Sequence, residues 1–248
     1  MCRVVLMNKE GEREIEKRYG LSSYFKYLED QLGGHGNGYA LLKNNRIIKF
    51  EKGMNLDVRD IAKTIKNTDY DWCVFHTRLK SVGDACDRNC HPFLRGNFLI
   101  AMNGTEHSVS FISKIKGITD TEAILDVAEK YHLGLTALKN FSSIFMGFYK
   151  GKPFVVADNT HNIRILKNKN AIVFASSFPI EFNKDIYDTT KCFIWYNGKL
   201  PNTLVKHKKR YYPITFFDDY FFNDGIYSQC YLSNFRDDKK GAFNGTSL

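Results

Sequence analysis

Apolar residues recur along this chain with two different periods, and the change of period marks its elements. Arg3 to Met7 is a short β-type run, which sets Cys2 at the mouth of a buried strand. Leu21 to Leu32 carries Tyr24, Phe25, Tyr27, Leu28 and Leu32 at helical spacing, until Gly33-Gly-His-Gly-Asn-Gly38 breaks the pattern. Tyr39 to Leu42 and Arg46 to Phe50 read as a hairpin around Lys43-Asn-Asn. Residues 57–67 form an amphipathic helix with Val58, Ile61, Ala62 and Ile65 inward. Trp72 to His76 is a strand running into Thr77-Arg78, and Phe98 to Met102 is another, ending at Asn103-Gly104. Thr119 opens a helix whose Ala123, Ile124, Val127, Ala128 and Tyr131 share a face. Four strand-like runs follow, at 144–149, 154–157, 163–166 and 172–175, separated by the polar turns of an antiparallel sheet. Helices early and in the middle with meandering strands late make an α+β fold, in which the helices cover the sheets.

Length and charge set the limits. The 248 residues can bury a substantial core, as one domain over 1–198 with an extension over 199–248 packed on it. That extension has a basic run at Lys206 to Arg210, an aromatic cluster from Tyr211 to Phe222, and a polar end expected to be disordered. The excess of 36 Lys+Arg over 27 Asp+Glu gives +9, which favours an acidic partner. The excess is spread along the chain, which argues against nucleic acid; a nucleic-acid binder would lose affinity steeply with salt. No segment approaches the roughly 18 to 20 apolar residues of a membrane span, and the first residues fit neither a signal nor a transit peptide. The chain reads as cytoplasmic, its six cysteines as reduced thiols. Cys86-x3-Cys90-His91 looks like part of a metal or haem site, but no second ligand pair lies near it, so no metal and no cofactor is expected. His35 reads as structural, within a glycine bend near Cys2.

Candidate chemistry begins at Met1-Cys2. A residue as small as Cys at the second position permits removal of Met1, which leaves one residue carrying both a thiol and a free α-amine. That amine has an ordinary pKa of about 7.7 to 8.0, so it can accept the thiol proton near neutral pH. Nucleophile and general base are then supplied by one position. Four further patterns stand at intervals: His76-Thr-Arg78, Asn89-Cys-His-Pro92, Met102-Asn103-Gly104 and Thr119-Asp-Thr-Glu122. Singly, each has an ordinary reading: a strand end with a surface arginine, a loop, a tight turn, and a capping box whose Asp120 suits a helix N-terminus.

Together, in this order, the five patterns resemble the class II glutamine amidotransferases, members of the N-terminal nucleophile hydrolases, over roughly residues 2–180. The resemblance implies a four-layer αββα sandwich of two stacked, mainly antiparallel sheets. It implies that the Cys2 thiolate attacks the side-chain amide of glutamine to form a thioester. Asn103 and Gly104 would supply the oxyanion hole, Arg78 would hold the substrate α-carboxylate, with Ser81 keeping a hydroxyl nearby, and Asp120 would take the α-ammonium. The products are glutamate and ammonia, and the implied partner is an ammonia-accepting synthase subunit. The chain departs from the pattern at Leu79-Lys80, Val82, Met102 and Ser176-Ser177. Those departures leave open another small linear amide, such as a γ-glutamyl compound, or an inactive homologue acting as a binding subunit.

Overall fold

The computed structural model describes residues 2–158, 161, 163–189, 193–198, 200 and 204–206. Met1 and nearly all of the 199–248 extension, with its basic run beyond Lys206 and its aromatic cluster, lie outside the described residues.

The chain runs β1 (Arg3–Asn8), α1 (Lys9–Arg18), α2 (Leu21–Leu32), β2 (Asn37–Lys43), β3 (Arg46–Gly53), α3 (Val58–Asn67) and β4 (Trp72–Thr77). It continues through β5 (Phe93–Arg95), β6 (Phe98–Asn103), α4 (Ser110–Lys116), α5 (Asp120–Lys130), α6 (Leu135–Leu138), β7 (Ile144–Tyr149) and β8 (Lys152–Ala157). The last elements are β9 (Arg164–Asn168), β10 (Ala171–Ala175), β11 (Ile186–Asp188), β12 (Phe193–Tyr196) and β13 (Val205–Lys206). Eight strands form one sheet in the order β13-β11-β9-β10-β1-β4-β2-β3, and five form a second in the order β12-β8-β7-β6-β5. The paired strands are antiparallel in both sheets.

Three apolar cores divide the layers. The first joins Ile15, Tyr24, Phe25, Leu28, Val58 and Ile61 of α1 to α3 to one face of the large sheet. The second lies between the sheets, and the third sets Ala123, Ile124 and Ala128 of α5 against the outer face of the small sheet. The order is helix, sheet, sheet, helix, as the α+β sandwich reading expects. β1 sits at the centre of the large sheet, with Val5 and Met7 in the first core and Val4 and Leu6 in the second. Both faces of β1 are covered, so its residues have no polar alternation to show.

The helical faces read from periodicity hold for α2 and α3, where Asp57 caps the first turn by accepting from Arg59 N. The Lys43-Asn-Asn turn is of the mirror-image hairpin kind, with Asn44 at φ 49° and Asn45 at φ 64°. Two elements correct the sequence reading. Tyr131 falls just past the end of α5 and is 61% exposed, while Leu125 is buried in its place. α1, whose sequence Lys-Glu-Gly-Glu-Arg-Glu-Ile-Glu-Lys-Arg has one apolar position, carries no periodic signal. It forms because Asn8 Oδ1 accepts from Gly11 N at 2.8 Å and because acidic residues fill its first turn and basic ones its last. Its buried Glu12 is held by Lys9 Nζ at 2.5 Å and by the Tyr70 hydroxyl at 3.3 Å.

Candidate functional site

Cys2 precedes β1 in the large sheet, and because Arg3 pairs with Thr77, the start of β1 lies beside the end of β4. Across the gap between the sheets, β6 ends at Asn103. The N-terminus of α5 brings Asp120 to the same end. Three strand or helix ends thus converge on Cys2, each fixed by its own ladder or cap.

The contacts at Cys2 are specific. Cys2 N donates to Asn103 Oδ1 at 3.1 Å. An N–H requires an acceptor, so this bond turns Oδ1 toward Cys2 and leaves the Nδ2 donors on the other side of the amide. The thiol sits between the backbone groups of Leu79, with Sγ 3.4 Å from Leu79 O and Leu79 N 3.4 Å from Sγ. Cys2 is 5% exposed. Burial pushes its thiol above the ordinary range, and the Leu79 N–H opposes that shift. Arg78 and Asp120 both lie close enough for their charges to act on the thiol, Arg78 favouring the thiolate and Asp120 disfavouring it.

Asp120 is buried, and its carboxylate accepts from Glu106 N at 2.9 Å and Thr121 N at 3.0 Å. Burial raises its pKa against those N–H donors. Thr119 caps α5 by accepting from Glu122 N at 3.1 Å, so the capping-box reading holds for its first half. Glu122 turns instead to Arg88 and Arg95, at 3.2 and 3.6 Å. Glu106 ties down the loop after Asn103, accepting from Ser142 N at 2.8 Å. Gly104 has φ 152°, and a Cβ there would fall 2.2 Å from Ser143 Oγ, so the backbone after Asn103 needs a residue without a side chain.

The guanidinium of Arg78 is buried and already engaged. Nη1 donates to Asp84 O at 2.8 Å, and Nη2 to Val82 O at 2.9 Å with Gly83 O at 3.5 Å. These carbonyls, in the loop after Leu79, stand where the sequence suggested a carboxylate partner. Ser81 lies exposed on that loop, outside the network on Arg78. Cys2, Asn103, Gly104, Arg78 and Asp120 are thus brought together, and Ser81 is at their margin.

Several residues at the site escaped sequence reasoning. Arg3, on the opposite face of the sheet from the thiol, donates to Gln31 Oε1 at 3.1 Å and reaches Cys2 O at 3.5 Å. The glycine bend is bonded to the strand end: His35 N donates to Arg78 O at 2.9 Å, Arg78 N to Gly36 O at 2.8 Å, and Lys80 N to His35 Nδ1 at 3.0 Å. His35 is therefore structural, as read. Gly36, at φ 107°, has Cys90 Sγ where its Cβ would stand, 2.3 Å away. The Cys86-x3-Cys90-His91 cluster is not gathered on a common point. The Cys90 thiol faces the carbonyls of Cys86 and His35, while the His91 ring faces Thr121. Cys2, Cys73, Cys86 and Cys90 are free thiols. Among the described residues no helix is long and apolar enough to cross a membrane.

His76 and His91 are fully buried with ring centroids 4.2 Å apart. Burial holds His76 down at about 3, and burial followed by its neighbour His76 holds His91 well below the ordinary value. Both are neutral in the fold but titrate near 6.5 in the unfolded chain. Below that pH the unfolded state binds more protons, so stability falls with falling pH until the folded-state values are reached. Going from pH 7 to pH 5 is expected to cost roughly 2 kcal/mol for each histidine. Urea unfolding of the wild type and His76→Gln at both pH values checks this. The variant should lose about 2 kcal/mol less between them, and equal losses would show that His76 does not titrate as described.

Among solved structures, the chain is similar to the glutamine phosphoribosylpyrophosphate (PRPP) amidotransferase from B. subtilis complexed with ADP and GMP, at 17% identity and a TM-score of 0.49. It is also similar to the allosteric regulatory enzyme of purine biosynthesis, at 18% identity and a TM-score of 0.52. Each match covers 71% of this chain and 42% of the other, so the chain spans well under half the length of the proteins it matches. No protein-family model matches the chain, and no curated protein does. The likeness to the second of these structures is one of fold, an αββα sandwich.

Proposed function

We propose that this domain hydrolyses the side-chain amide of glutamine, or of a closely related small amide, with Cys2 as nucleophile. The observation that carries the reading is the contact of Cys2 N with Asn103 Oδ1. It supports a nucleophile whose own nitrogen is held beside an oxyanion donor. Removal of Met1 converts that nitrogen into an α-amine at the same place. The amine then takes the thiol proton as sulfur bonds to the amide carbon. This coupling suits a thiol that burial keeps protonated at rest. The oxyanion of the tetrahedral intermediate is met by Asn103 Nδ2 and Gly104 N–H. Collapse breaks the C–N bond, the amine returns the proton to the departing ammonia, and a Cys2 thioester remains. Water attacks the thioester, losing its proton to the amine and then to the sulfur, and the acid product leaves with the thiol restored.

Asp120 is the acceptor for a substrate α-ammonium, and Arg78 the anchor for an α-carboxylate. For Arg78 this requires that the carboxylate take the guanidinium edge not used by the 82–84 carbonyls, or displace them. Arg78→Lys, which keeps the charge and loses the fork, is expected to raise KM by about tenfold or more with a smaller change in kcat. An unaltered KM would remove Arg78 from the carboxylate role.

The engaged guanidinium also favours a second reading, in which the substrate carries no free carboxylate. An ammonia-release assay over glutamine and a peptide-bound glutamine separates the two. Glutamine first supports the leading reading, peptide-bound glutamine first supports the second, and inactivity on both supports a binding subunit. In the leading reading the ammonia goes to a synthase partner, and the reaction proceeds without metal or cofactor.

A further inference from the structure

Both histidines of the buried pair are held by a bond at Nε2, and for His76 its direction is fixed. A carbonyl can only accept, so the 3.1 Å contact of His76 Nε2 with Met102 O puts the His76 proton on Nε2. Thr121 Oγ1 lies 2.8 Å from His91 Nε2 and 3.5 Å from Met102 Sδ. The Nδ1 atoms of both rings are buried without a hydrogen-bond partner. Each such atom costs roughly 1 to 3 kcal/mol, where an apolar side chain in the same core would cost nothing. The position of these bonds accounts for the expense. His76 belongs to β4 of the large sheet and lies on the side of Val74, facing the gap between the sheets. Met102 belongs to β6 of the small sheet. β5 pairs with β6 only from Phe98 to Ile100, and two residues later the Met102 carbonyl takes its donor from across the gap. The next two residues are Asn103 and Gly104. The His91 ring, tilted against His76, is anchored to Thr121, the residue after Asp120.

We propose that His76 and His91 are positioning residues: the pair in ring contact fixes the end of β6 against β4 and α5, and so sets where Asn103 and Gly104 present their donors relative to Cys2 and Asp120. The inference rests on the hydrolase reading above and adds two residues to it. Neither ring touches the reacting atoms. Their effect passes through the Met102 carbonyl, and an oxyanion donor displaced by a fraction of an ångström loses rate more than affinity.

The test compares glutamine hydrolysis by the wild type, His76→Leu and His76→Gln, with melting temperatures on the same samples. Leucine fills the core without a donor, whereas the glutamine amide can still donate to Met102 O. His76→Leu is expected to lower kcat by about tenfold or more with KM within about threefold, and His76→Gln to recover most of kcat. A kcat unchanged in His76→Leu, or equally low in both variants, would overturn the positioning role. If His76→Leu does not fold, Thr121→Val serves instead. It keeps the shape, removes the partner of His91 and the donor to Met102 Sδ, and should lower kcat several-fold; an unchanged kcat overturns the inference. A wild type inactive on glutamine, on related small amides and on peptide-bound glutamine sinks the hydrolase reading and this inference with it, whereas an active wild type with indifferent variants sinks the inference alone.

Discussion

Cys2→Ala is expected to abolish ammonia release, lowering the rate by at least about 10⁴-fold, because no other group at the site can form the thioester. The rest of the site survives the change. The side chain is small, and its polar contacts are the two with Leu79, so the loss to stability should be about 1 kcal/mol, or 2 to 4 °C in Tm. Cys2→Ser is the sharper version, since a hydroxyl can meet the Leu79 N–H and carbonyl but is a far weaker nucleophile. Both variants should be inactive and well folded, as read by ammonia release and thermal melting. A much larger fall in Tm with activity retained would make Cys2 a packing residue of the β1 entrance.

The second large effect is expected at Asn103. Asn103→Ala removes an oxyanion donor and should lower kcat by about 10² to 10³, or roughly 2.7 to 4 kcal/mol of barrier, with little change in KM. The same side chain also accepts from Cys2 N, so alanine removes two functions at once. Asn103→Asp separates them, because a carboxylate still accepts from Cys2 N but donates nothing to an oxyanion. If the oxyanion role dominates, steady-state kinetics will show the two variants falling together. Substantial activity in Asn103→Asp alone would mean that Asn103 serves chiefly to hold the nucleophile's nitrogen.

What the sequence made legible follows from where each signal resides. The apolar face of α3 could be read because Val58, Ile61, Ala62 and Ile65 carry the period themselves, and all four are buried. α1 could not, because its stability comes from a cap, charges at its ends and a buried ion pair rather than from an apolar stripe. At the site, Cys2, Asn103 and Asp120 were legible as candidates by residue type, and the fold brings them together. The partners of Arg78 were not, because they are backbone carbonyls of residues 82–84, and carbonyls leave no mark in a sequence. His76 and His91 were visible as letters within short patterns. Their contact depends on two strands and a helix end meeting across the sheets, which no local spacing encodes. Tyr131 failed for a simpler reason: the helix stops one residue before it, so its place on the helical wheel never forms.

The central claim is that Cys2, freed of Met1, is a nucleophile shaped for glutamine. The most direct measurement is mass spectrometry of the purified chain before and after treatment with the glutamine analogue diazo-oxo-norleucine. The account predicts a chain lacking Met1 that gains a single adduct, mapped to Cys2, as ammonia release is lost in proportion. An adduct on Cys86 or Cys90, or an active chain that retains Met1, would contradict it.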